Sequence, residues 1–129
     1  MGTPRARWER APISKISGAD LSGAEGKGYK TDTDGTVILA TAAAVDGVII
    51  DGGNASGDAV LLAPAGCGLL VEVLPGGNIN ENDELTTDAS ALFIATTTST
   101  DKIAGQATTN GSTSSTCMAI MSGAERRYQ

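Results

Sequence analysis

Three short clusters in this chain carry residue types that chemistry uses. Gly23–Lys30 (GAEGKGYK) has the glycines and the lysine of a phosphate-cradling loop. It lacks the Gly-Lys-Ser/Thr ending and the strand-to-helix setting that such loops need, so a hinge is the simpler reading. Asp32-Thr33-Asp34-Gly35 resembles part of a calcium loop. An EF-hand frame would put Lys30 at the first ligand position and Thr41 where a bidentate Glu belongs, which makes Asp34-Gly35 a turn. Glu81, Asp83 and Glu84 form an acidic cluster, read as an exposed charged turn. The sequence has no histidine, so Ser-His-Asp and Cys-His arrangements are impossible and the commonest metal ligand is missing. Cys67 and Cys117 alone do not make a usual zinc site. We therefore assign no catalytic, cofactor or metal residue and expect a non-enzymatic protein.

The elements around these clusters read as short strands divided by turn residues. From Thr36 onward the candidates are Thr36–Ala40, Gly47–Asp51, Asp58–Ala63, Gly68–Leu74, Asp83–Thr87, Leu92–Thr97, Ile103–Thr108 and Thr116–Met121. Each is β-branched or leucine-rich and bounded by Gly, Asn, Asp or Pro. The expected fold is all-β, a small barrel or sandwich. Ala40–Val45 is the one place where a helical turn costs little, and it is too short to stand alone. Val37-Ile38-Leu39, Val48-Ile49-Ile50 and Val60-Leu61-Leu62 are continuous apolar runs. Since strand side chains alternate between faces, such runs predict burial on both sides, by loops or by a neighbouring subunit.

Residues 1–35 read differently, as an extended, irregular N-terminal arm ahead of a β-rich domain at residues 36–129. Pro4 and Pro12 interrupt regular structure and Leu21–Gly28 is glycine-rich. Charge divides the same way. Residues 1–30 carry six basic against three acidic side chains, whereas residues 31–124 hold eleven acids against Lys102 alone. An acidic body with a basic arm argues against nucleic acid as partner. No uninterrupted apolar run approaches membrane-spanning length, so no membrane partner is expected. With no signal peptide, synthesis in the cytoplasm is expected, and Cys67 and Cys117 read as thiols rather than as a disulfide. Only 3% of residues are aromatic, so Val, Ile, Leu and Ala must form the core, which makes oligomerisation a natural supplement.

The segment Asp46–Met121 resembles the decoration, or capsid cement, proteins of tailed bacteriophages. Asp46–Val73 (DGVIIDGGNASGDAVLLAPAGCGLLVEV) is similar to that family's hairpin pair, with Ser56-Gly57-Asp58 as its small-Gly-Asp turn. Leu74–Ala95 (LPGGNINENDELTTDASALFIA) resembles its stretch of glycine-rich residues followed by Ile-x-x-Gly-Asp-x-Leu-x-x-Asp. Here Asn82 stands in place of that Gly, a residue that tolerates the same left-handed turn. Ile103–Ala107 resembles the family's Ile-Gly-x-Ala with an extra Ala104, and Cys117–Met121 falls at its final strand. The resemblance implies a β-tulip-like fold and a homotrimer at three-fold positions on the outer capsid surface of the virion. It implies the major capsid protein as partner, with the arm becoming ordered on it.

On this reading Thr3–Ile16 lies extended on the shell and adds a strand to a capsid sheet. The arm residues expected to bind are Arg5, Arg7, Trp8, Arg10, Ile13 and Ile16. The arginines meet acidic capsid patches or serve as a solubilising tail, and Trp8 anchors on the capsid or packs on its own domain. Two other classes remain open. One is a carrier domain of the biotinyl/lipoyl type, for which Lys102 would be the attachment lysine although it lacks the Met-Lys context. The other is a virion-surface host- or glycan-binding module, which the scarcity of aromatics disfavours.

Overall fold

The computed structural model describes residues 12–122. The fold is all-β, as the turn spacing predicts, with ten strands and no helix among the described residues. They are β1 (Ile13–Ile16), β2 (Gly28–Thr31), β3 (Val37–Leu39), β4 (Gly47–Asp51), β5 (Ala59–Pro64), β6 (Leu70–Val73), β7 (Glu84–Thr87), β8 (Phe93–Ala95), β9 (Gly105–Ala107) and β10 (Cys117–Ile120). All eight strands expected after Thr36 are present: β4 has the expected bounds, β5 is shifted by one residue to end at Pro64, and the other six are shortened at their ends. Ala40–Val45 is a turn, with Ala44 N–H donating to the Thr41 carbonyl at 3.1 Å. β1 and β2 fall inside the segment expected to be an arm, and the boundary expected after residue 35 lies within the β2–β3 hairpin. Leu21, Ala24 and Tyr29 from that segment are core residues.

The strands form two five-stranded sheets, ordered β1-β5-β4-β2-β3 and β6-β10-β9-β7-β8, with every ladder antiparallel. Moving each strand of the first order five places along the chain produces the second. The chain is a tandem of two units with one topology. Neither sheet closes into a barrel; its two edges touch at one parallel bridge, Ser17 to Val37 in the first and Pro75 to Phe93 in the second.

The equivalence extends to single hydrogen bonds. Gly28–Thr41 aligns with Glu84–Thr97 without a gap, sharing Thr31/Thr87, Asp32/Asp88, Ile38/Ile94 and Thr41/Thr97. In the hairpin turns Asp32 N–H donates to Thr36 at 2.7 Å and Asp88 N–H to Leu92 at 2.9 Å. The turn residues Gly35 and Ala91 both have positive φ, +86° and +65°. Gly26 and Asn82, at +88° and +76°, donate to the carbonyls of Ile49 and Ala107. Gly47 and Gly105 meet one steric demand: a Cβ on either would lie 2.3 Å from a carbonyl oxygen, of Ala63 or of Ile120. Only glycine fits where the backbones pass so closely.

The two-faced apolar run of β4 is explained by this duplication. Ile49 turns into the first core with Leu21, Tyr29, Val37, Val60 and Leu62. Its neighbour Val48 turns the other way, joining Ala40, Val45 and Ala63 against the second unit's Val73, Ile79, Leu85 and Phe93. The second face of β4 is therefore covered by the second half of the same chain. Backbone bonds seal the joint: Gly28 N–H donates to Ala91 at 2.8 Å, Ala43 N–H to Thr87 at 2.8 Å and Leu74 N–H to Gly26 at 2.9 Å. The runs in β3 and β5 instead leave Leu39 and Leu61 exposed.

Candidate docking surface

The clusters singled out for chemistry serve the turns. Asp34 Oδ1 accepts from the N–H and hydroxyl of Thr36, at 3.0 and 2.6 Å. Asp83 Oδ2 accepts from Asn80 N–H and Asp58 Oδ2 from Asn54 N–H, both at 2.8 Å. Asp88 Oδ1 accepts from Ser90 and Leu92 N–H. These carboxylates tie the backbone of tight turns, a role short acidic side chains fill readily. The segment Gly23–Lys30 closes around Gly26 and leads directly into β2.

Lys102 Nζ lies 2.7 Å from Asp46 Oδ1 and bridges the two units, so the lysine considered for a carrier role is engaged in an ion pair. Burial pushes the Asp46 carboxyl up, but the Lys102 hydrogen bond, the Thr31 N–H and the charges of Lys102 and Lys15 outweigh it, and the net shift is down. Close by, burial together with the negative charges of Asp46 and Cys67 pushes the Tyr29 phenol up to about 12. Cys117 is buried and Cys67 half-buried, both as free thiols, and burial raises the Cys117 thiol above its ordinary value. The ion pair ties the two halves across their joint, while the buried phenol belongs to the core of the first half.

Of the expected binding residues, Arg5, Arg7, Trp8 and Arg10 lie outside the described residues. Ile13 and Ile16 are on β1, 38% and 51% exposed. β1 is already laddered to β5, with Ile13 opposite Leu62 and Ile16 opposite Ala59. The expected free strand over Thr3–Ile16 is thereby cut back to the residues before Pro12. Ser17 N–H donates to Asp58 at 2.9 Å, so alternation turns the backbone groups of Ser14 and Ile16 away from β5; at the Ile16 end that edge meets β3 through the Ser17–Val37 bridge, where Gly18 N–H donates to Val37 at 2.8 Å.

The tandem shows what such an edge accepts. The parallel bridges align Ile16 with Leu74. Leu74 is partly covered because the first unit's Gly26 accepts its N–H. Ile16 occupies the corresponding place on the first unit and stands in solvent. Among the described residues, no second unit covers Ile16 as the first unit covers Leu74. Sequence reading named Ile13 and Ile16 but assigned them to a detached arm. It missed the second exposed apolar group, Leu70 on β6 beside Ile120 on β10, at 57% and 37% exposure.

The architecture defines a class: a tandem of two five-stranded antiparallel units joined through a shared core. No protein-family model matches the chain, and no curated protein is similar to it at a significant level. Among solved structures it is similar to the N base of the head fiber protein gp8.5 of bacteriophage phi29. The TM-score is 0.62 at 16% identity, over 86% of this chain and 92% of that one. At that identity the likeness is one of fold.

Proposed function

We propose that this chain is a non-enzymatic structural protein of a phage head, a decoration or cement protein on the outer capsid surface. The observation that carries the reading is the apolar surface of the edge strand β1, with Ile13 and Ile16 exposed where a basic segment enters. The shared fold with a head fiber base supports the same setting, as do the decoration-like turns of Asp46–Met121. In this proposal β1 and the N-terminal segment contact the major capsid protein. Ile13 and Ile16 supply apolar area, Arg5, Arg7 and Arg10 meet acidic patches, and the capsid chain completes the β1 edge by strand addition. A homotrimer presenting three such surfaces would gain avidity from contacts that are individually modest.

The test is retention on purified shells that lack the protein. Because residues 13–16 belong to the fold, the deletion must stop at residue 11. We expect that deletion, and separately Ile16→Glu, to reduce bound protein at least tenfold while the circular dichroism of the strands is unchanged. Undiminished binding by both folded variants would refute the docking mechanism. A solution mass of one subunit, free and on the shell, would remove the trimer.

A further inference from the structure

A groove of about 520 Å³ runs between the two units, lined by β4 on one side and the outer edge of β6 on the other. Its apolar wall includes Ile50, Leu70 and Leu74, and among the described residues its charged lining is Glu25 and Glu72, both carboxylates. Each carboxylate already uses one oxygen: Glu25 Oε2 accepts from Gly52 N–H at 3.0 Å and Glu72 Oε2 from the Thr116 hydroxyl at 2.7 Å. Met121 N–H donates to Leu69 at 2.9 Å, which by alternation turns the backbone groups of Leu70 and Glu72 away from β10. The groove therefore offers an apolar floor, an unladdered strand edge and negative charge. It asks for an extended segment with an aromatic or aliphatic anchor and positive charge.

Such a segment begins at its rim. Pro12, the first described residue, lines the groove. The four residues before it are Trp8, Glu9, Arg10 and Ala11, with Arg7 just upstream. An extended chain covers about 3.3–3.6 Å per residue, so Trp8 reaches roughly 13 Å from Pro12, within the length of a four-residue strand. We propose that in the free protein residues 7–11 fold back into this groove. Trp8 seats against Ile50, Leu70 and Leu74, and Arg7 and Arg10 meet Glu25 and Glu72. The groove and the head then compete for one segment, and the segment opens only where the head binds it more tightly. The latch involves no head contact, so it and the proposed function can fail separately.

Trp8 is the only tryptophan, which makes it a built-in reporter in the full-length chain. We expect blue-shifted emission and weak acrylamide quenching in the wild type. Leu70→Glu should red-shift the emission and raise the quenching constant at least threefold, and the charge reversal Glu72→Arg should act in the same direction. Ile120→Glu, beside Leu70 but outside the groove lining, should leave both readings unchanged. Both groove positions are exposed, so neither variant removes a core side chain. Trp8 that is fully quenchable in the wild type, or indifferent to both groove variants, would overturn the latch. Protection that disappears on dilution would also overturn it, because the occupant would then be the segment of a second copy.

Discussion

The two halves share a topology but fill their cores differently. Six inward positions correspond one to one: Leu21 with Ile79, Tyr29 with Leu85, Val37 with Phe93, Ile49 with Ala107, Val60 with Cys117 and Leu62 with Ala119. In the first half these side chains meet one another. In the second, two large aliphatics have become alanines, and the space is taken by Ala40, Val45, Val48 and Ala63 from the back of the first half. The first core is self-contained and the second is borrowed. The outward faces of the two halves also differ. The first half meets the second through Ala40, Val48 and Ile50, whose counterparts at the far side are Thr96, Gln106 and Thr108.

The sharpest way to break this comparison is Phe93→Ala, which removes the largest fully buried side chain from the borrowed core. We expect a loss of about 3–5 kcal/mol, because the surrounding walls come from two units and relax only partly. Val37→Ala, its counterpart, should cost about 2 kcal/mol, in proportion to the fewer buried methyl groups removed. Equal costs in urea denaturation would mean the cores are not built differently. A smaller effect separates Tyr29 from Leu85. The folded phenol is raised from 10.0 to about 12, so folding favours its neutral form. That contribution is complete below pH 10 and is lost as pH rises from 10 through 12, up to about 2–3 kcal/mol for a shift of that size. Tyr29→Phe should remove this alkaline decline, and an unchanged slope would show that the phenol is not the group responsible.

Local turn chemistry was legible in the sequence. Asp34-Gly35, Asn82 and the apolar runs all predicted where strands begin and end, because each rests on short-range backbone geometry. The duplication was not, because its halves share few identities and differ in length between Gly18 and Gly26 on one side and Gly76 and Asn82 on the other. β1 was misplaced for a related reason. ISKI is short and follows a proline, and only pairing with β5 makes it a strand. The double-faced burial of Val48-Ile49-Ile50 was read correctly, but what covers the second face lies beyond local pattern. Ile13 and Ile16 were expected to bind as part of an arm, Thr3–Ile16, lying extended on the shell. Their significance as an uncovered surface depends on seeing what the equivalent Leu74 touches.

The smallest effect isolates the backbone cost that the two halves carry unequally. Gly35 and Ala91 hold the same left-handed turn position, one without a side chain and one with a buried methyl. A Cβ added at Gly35 would meet nothing within 4 Å, so Gly35→Ala changes conformational energy and little else. The left-handed region costs an L-residue about 1–2 kcal/mol. The substitution recovers about 0.5–1 kcal/mol by restricting the unfolded chain. The net expectation is a destabilisation of about 0.5–1 kcal/mol, read as a shift in denaturation midpoint at constant slope. The reverse change, Ala91→Gly, relieves the same strain but gives up a fully buried methyl worth about 0.8 kcal/mol and adds chain entropy. It should therefore bring no gain. A neutral Gly35→Ala, or a stabilising Ala91→Gly, would show that the two turns are not under the same constraint and would separate halves that the hydrogen bonds make equivalent.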